Sequence, residues 1–272
     1  MLKCSSLNIT MKIAFIITYH YSEQRQTGIG NLMNLLKNLC ESINNTYENV
    51  IYIMDNSSST KLDISKCPQI NNVEYRYHYI VDQSIGGLTW AWNYGIKLAI
   101  NEKSDILINL NDDLSVDNSI NSFIECIKNH PNNGHSLFGP VTNSGGAPEH
   151  QVIISSCETL ETTGLSYGDE ERQKLFQGYP LNGFAMGFTK EMYEKFQVDG
   201  WLFSRDIRDT WGCQEDEFYL RNKPLGLKNY IVNSCYIKHA KEHSWKKARK
   251  CYNHPRRLTL NYDTELEKAP CY

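Results

Sequence analysis

Asn111-Asp112-Asp113 follows directly on the apolar run Ile106 to Leu110, so two carboxylates project from the end of an expected strand. Such a pair suits a hard divalent cation, Mg²⁺ or Mn²⁺, which commonly bridges protein carboxylates to substrate phosphates. The same residues also suit an Asx turn capping the next helix, although Ser115 or Asp117 can supply that cap. A second acidic group, Glu215-Asp216-Glu217, stands at the start of another expected helix, behind Trp211-Gly212-Cys213-Gln214. There the helix dipole favours negative charge by roughly 0.3–1 kcal/mol, so capping is one reading. A carboxylate buried beside an aromatic wall is the other, with a raised pKa and the competence of a general base. His239 follows an expected strand and is trailed by His243 and Ser244; one imidazole there can join Asp113 on a metal.

Elements that position these residues are visible as changes of period. Lys12 to Thr18 is a continuous apolar run, the mark of a strand covered on both faces of a parallel sheet. Ile29, Leu32, Leu35, Leu36, Leu39 and Ile43 then recur at helical spacing. Strands are expected at Val50 to Met54, around Glu74 to Val81 and at Ile106 to Leu110, with a helix from about Leu88 to Ala99. A further helix carries Ile120, Phe123, Ile124 and Ile127, followed by a short strand near Ser136 to Phe138. The polar loop Asp55-Asn56-Ser57-Ser58-Ser59 closes the second strand, and ligands of open α/β sheets bind at that carboxyl edge. Residues 149–178 break the rhythm and read as a surface excursion. Leu181 to Phe196 reads as strand, turn and helix, Gln214 to Asn222 as a helix, and Lys228 to Val232 as a strand.

With 272 residues, 40% of them hydrophobic and 22% charged, and a net charge of -3, the chain has the composition of an ordinary globular protein. No basic footprint for nucleic acid is present. The nine cysteines include no Cys-x-x-Cys pair, which argues against a disulfide framework and a zinc ribbon. Sequons begin at Asn8, Asn44 and Asn56, the last on the presumed ligand loop, where a glycan would block the site. A reducing, cytoplasmic setting is the expectation. No apolar run reaches the ~20 residues of a membrane span. Residues 1–10 are expected to be a loose extension and 246–272 a basic tail bearing Lys246, Lys247, Arg249, Lys250, Arg256 and Arg257.

Taken in order, these segments resemble the family 2 glycosyltransferases, inverting enzymes of the GT-A fold, and especially their rhamnosyltransferase-like members. The resemblance spans about residues 11–245. Thr18-Tyr19-His20 is similar to the family's first strand end, and Asp55-Asn56-Ser57-Ser58 to its Asp-Asn-x-Ser. Ser84-Ile85-Gly86-Gly87 with Asn93-Tyr94-Gly95 is similar to an Asn-x-Gly-Gly run followed by Asn-x-Gly on a helix. Leu110-Asn111-Asp112-Asp113 resembles the Asp-x-Asp motif in its Leu-Asn-x-Asp form. Asn182 to Gly187 resembles the acceptor-side turn, Asp199 to Phe203 the approach to the catalytic helix, and Glu215-Asp216 the catalytic pair.

The resemblance implies an α/β GT-A domain with a Rossmann-like, mostly parallel sheet and helices on both faces. It divides residues 11–115 as the nucleotide-binding half from 116–245 as the acceptor and catalytic half. It implies a non-processive transfer from a UDP-, dTDP- or GDP-linked sugar to a saccharide or glycoconjugate hydroxyl, since no Gln-x-x-Arg-Trp motif is present. Asp216 would be the general base beside Glu215, and Asp113 with His239 would hold Mn²⁺ or Mg²⁺. Thr18, Tyr19, Asp55, Asn56, Gly86, Gly87, Asn93 and Asp112 would contact the nucleotide sugar, Asp55 through a base N–H. Gly183, Phe184, Trp201 and Trp211 would face the acceptor, with Phe203, Trp90 or Trp92 as further aromatic candidates. Two other classes stay open: a nucleotidyltransferase, for which the loop Tyr21 to Gly30 lacks a convincing pattern, and a non-catalytic nucleotide-sugar binding module, against which Asp113 and Asp216 speak.

Overall fold

The computed structural model describes residues 11–20, 28–57, 61–68, 73–80, 87–143, 151, 180–204 and 214–240. The N-terminal extension, most of the 149–178 excursion, the basic tail, Gly86 and Trp211 lie outside the described residues.

The first half builds as its periodicity requires: β1 (Lys12–Tyr19), α1 (Gly28–Ser42), β2 (Glu48–Asp55), β3 (Val73–Tyr79), α2 (Leu88–Asn101) and β4 (Ile106–Asn111). A two-residue strand β5 (Leu114–Ser115), helix α3 (Ser119–Asn129) and β6 (Ser136–Val141) follow. Beyond the excursion come β7 (Ala185–Thr189), α4 (Lys190–Phe196), α5 (Gln214–Asn222), β8 (Lys228–Tyr236) and β9 (Lys238–His239).

Seven strands form one sheet in the order β3-β2-β1-β4-β7-β6-β8. β7 alone runs against its neighbours; every other pairing is parallel. Successive side chains of the central strands enter opposite faces, and both faces are covered. Phe15, Ile17, Ile53, Ile108 and Leu110 pack with Leu32, Leu36, Ile120 and Phe123 of α1 and α3. Ile16, Tyr52, Met54 and Leu107 pack with Trp92, Ile96, Met192 and Phe218 of α2, α4 and α5. Double coverage is why these strands are apolar along their whole length.

Close approach explains one glycine of the Asn93-Tyr94-Gly95 run. A Cβ at Gly95 would sit 2.5 Å from Ile16 Cγ2, so α2 lies on the sheet at a distance only glycine permits. Where a separate turn was expected inside Leu181 to Phe196, β7 instead passes directly into α4. The Thr189 hydroxyl caps that helix, accepting the Met192 N–H at 3.2 Å.

Candidate active site

Three strand ends meet at the carboxyl edge of the sheet. The Asn56 N–H donates to Tyr19 O at 2.8 Å, tying the β2 end to the β1 end. His20 continues the tie: its Nδ1 lies 2.7 Å from Asn56 O, and its N–H donates to Asp112 Oδ2 at 3.3 Å. Thr18, Tyr19, Asn56 and Asp112, expected at the nucleotide, are thereby brought together. Thr18 Oγ1, Asn56 Oδ1 and Asn111 Oδ1 are buried without a hydrogen-bond partner among the described residues. Buried polar atoms are rarely left so, and three at one sheet edge suit a polar ligand. Gly87 opens α2 at a φ of 100°, a left-handed conformation that glycine adopts without strain.

Asp55, expected at the nucleotide base, is bonded within its own loop and to β3. It is fully buried; Oδ1 accepts from Ser57 N at 2.9 Å, and Oδ2 accepts from Leu62 N at 2.8 Å and from the Tyr77 hydroxyl at 2.6 Å. Its carboxylate shapes the loop from within. Asn93 is likewise turned inward: Oδ1 accepts from Leu202 N and Phe203 N, at 3.1 and 2.9 Å, and Nδ2 donates to Phe203 O at 2.9 Å. The amide fastens α2 to the 202–203 backbone.

Asp113 and His239 do meet. β5 pairs antiparallel with β9, Leu114 opposite His239, and Ala240 N donates to Asp113 O at 2.9 Å. His239 Nε2 and Asp113 Oδ1 stand 3.3 Å apart, with only 14% and 6% of their side chains exposed. Two residues fix the imidazole: Asn143, which the sequence reading missed, and Phe184, which it expected at the acceptor. Asn143 grips its backbone, accepting from His239 N at 2.8 Å and donating to His239 O at 3.3 Å. Phe184 stacks on the ring with centroids 5.5 Å apart and planes 22° from parallel.

One carboxylate oxygen and one imidazole nitrogen at this spacing fit a divalent cation whose other positions fall to phosphate and water. No group of three or more His, Cys, Asp or Glu side chains that could hold a metal occurs among the described residues.

Phe184 also joins this pair to the second carboxylate group. Its carbonyl accepts from Asn111 N at 2.9 Å, while the preceding Gly183 N–H donates to Glu215 Oε1 at 3.0 Å. A Cβ at Gly183 would meet Glu215 Oε1 and the Trp92 ring at 2.7 Å each, so glycine is required for the approach. Glu215 is enclosed, and burial raises its pKa to about 7, with the neighbouring charge of Asp216 adding and backbone N–H groups opposing. Trp201 belongs to the outer side of α2, its ring 4.8 Å from Trp90 and under the Lys97 ammonium at 5.6 Å. A tight turn with Asp199 and Gly200 at φ of 52° and 78° presents it there. Phe184 is 3% exposed, which assigns its ring to His239.

No protein-family model and no curated protein matches the sequence. Solved structures do match the fold. GalNAc-T7, crystallised with UDP, GalNAc and Mn²⁺, superposes with a TM-score of 0.59 at 14% identity, over 86% of this chain and 44% of its own. Residues 1–349 of S. aureus TarS in complex with UDP give 0.54 at 12%, over 84% and 60%. The same TarS segment with UDP-GlcNAc gives 0.54 at 11%, over 88% and 61%. This chain thus spans 44% to 61% of those structures. Its fold is GT-A, an α/β fold built on a mostly parallel sheet.

Proposed function

We propose that this chain is an inverting, non-processive glycosyltransferase that moves a sugar from a nucleotide diphosphate to an acceptor hydroxyl, with Asp216 as general base. The observation that carries the reading is the continuity Asp113–His239–Phe184–Gly183–Glu215, which places a metal-competent pair and a carboxylate pair on two sides of one turn. Similarity to folds solved with UDP, UDP-GlcNAc or Mn²⁺ supports a uridine donor as the first choice.

Thr18, Tyr19, Asn56, Gly87 and Asp112 would line the nucleotide, with Asp55 and Asn93 holding the surrounding loops; Gly86 completes the diglycine in sequence. Asp113 and His239 would hold a divalent cation, which when bound offsets charge on the departing diphosphate. Asp216 takes the acceptor's hydroxyl proton as that oxygen bonds to the anomeric carbon. The bond from that carbon to the diphosphate oxygen breaks, and the electron pair leaves with the nucleotide diphosphate. A single in-line displacement inverts the anomeric configuration. Gly183 and, by sequence, Trp211 would flank the acceptor.

UDP release from a panel of UDP-sugars with Mn²⁺ and glycan acceptors tests the proposal. Asp216→Asn is expected to lose about 10²–10⁴-fold in kcat with UDP affinity kept. Full activity in that variant would refute Asp216 as base.

A further inference from the structure

Gln151 stands between two stretches outside the described residues, and it is fully buried. Its Nε2 donates to Pro140 O at 2.9 Å, its Oε1 accepts the Asn182 N–H, and its own carbonyl accepts from Thr142 N at 3.0 Å. Only one orientation of the amide meets both side-chain partners, because one partner is a carbonyl and the other an N–H. Gly139 leaves room for it: a Cβ there would lie 2.5 Å from Gln151 Nε2. Gln151 therefore joins the end of β6 to the first residue of the 182–184 turn.

The next residue of that turn is Gly183, whose N–H reaches Glu215 Oε1 at 3.0 Å. The carboxylate is also reached by its own backbone N–H, and its Oε2 is buried without a hydrogen-bond partner among the described residues. The Gly183 N–H thus ties the carboxylate to the 182–184 turn. The Gly183 N–H belongs to the peptide that follows Asn182, one residue on from the Asn182 N–H that Gln151 holds.

We propose that Gln151 is a positioning residue for the Glu215–Asp216 pair: by locking Asn182 to the end of β6 it fixes the N–H that orients Glu215 and, through the first turn of α5, Asp216. This role rests on the glycosyl-transfer reading and adds to it a residue that touches neither donor nor acceptor. Loss of a buried amide with two partners also costs stability, so the distinguishing readout is kinetic. A positioning residue lowers kcat while donor binding stands.

The experiment is steady-state transfer together with calorimetric UDP titration of the full chain, as wild type, Gln151→Met and Gly139→Ala. Met keeps the volume and removes both hydrogen bonds, whereas the new alanine methyl pushes on Nε2 with the amide still present. Gln151→Met should lose about 10–100-fold in kcat, as misplacement on the scale of an ångström does, with UDP affinity and donor KM within about twofold of wild type. Gly139→Ala should show the same pattern more weakly, and decides the matter if Gln151→Met does not fold. Wild-type kcat in either folded variant, or a loss of kcat matched by an equal loss of UDP affinity, would overturn the proposal. A wild-type chain that neither binds UDP nor transfers sugar would sink the glycosyltransferase reading itself, a distinct outcome from working variants in a working enzyme.

Discussion

Glu215 holds its proton more tightly folded than unfolded, because an enclosed carboxylate beside Asp216 resists charge. The sign follows: a folded pKa raised to about 7 from 4.5 adds nothing to instability at low pH, and its cost grows as pH rises through that window. Glu215→Gln keeps an acceptor for the Gly183 N–H and removes the ionisation. Urea unfolding should therefore show the variant gaining on wild type from pH 5 to pH 8, by up to about 3 kcal/mol. Parallel stability profiles would show that Glu215 is not a strained carboxylate. Asn143 gives a second residue-scale test. Asn143→Ala releases the His239 backbone, so Mn²⁺-dependent UDP binding should weaken about 10–100-fold, as loss of outer-shell support does, with metal-free UDP binding unchanged.

Helix α2 shows how motif and role separate. Asn93 and Gly95 stand in the sequence as a nucleotide-site signature, yet one amide binds the 202–203 backbone and the missing Cβ seats the helix on Ile16. Asn93→Ala should cost about 1–3 kcal/mol by leaving the Leu202 and Phe203 groups unpaired, and should leave UDP affinity little changed. A large fall in affinity without a fall in stability would restore direct contact. Strands β1, β2 and β4 and helices α1 to α3 were legible in the sequence because both-sided burial and a 3.6-residue stripe are local patterns. Asp113 and His239 were legible as residue types at strand ends, though β5 and β9, which pair them, are too short to show any period. Asn143 and Gln151 gave no signal. Each works through backbone groups far along the chain, at His239 and Asn182, and sequence spacing carries nothing of such contacts.

Across the whole molecule, the expected division into nucleotide and acceptor halves is crossed by the sheet itself, since β7 inserts between β4 and β6. Leu107 and Phe188, one from each half, lie opposite each other in that pairing and share one buried face. The described domain should therefore melt as one cooperative unit, and calorimetry should show a single transition that UDP with Mn²⁺ moves upward. Two transitions, with only the first moved by ligand, would mean that the halves fold independently. Among the described residues no helix is long and apolar enough to cross a membrane. The central claim is that the edge where β1, β2 and β4 end, completed by Asp113 and His239, holds a nucleotide diphosphate through a divalent cation. Calorimetric titration of UDP, dTDP and GDP with Mn²⁺ and then with EDTA, on wild type and Asp113→Ala, tests it most directly. The account predicts metal-dependent binding of UDP that is lost in the variant; no nucleotide bound under any condition, or binding indifferent to both EDTA and Asp113→Ala, would contradict it.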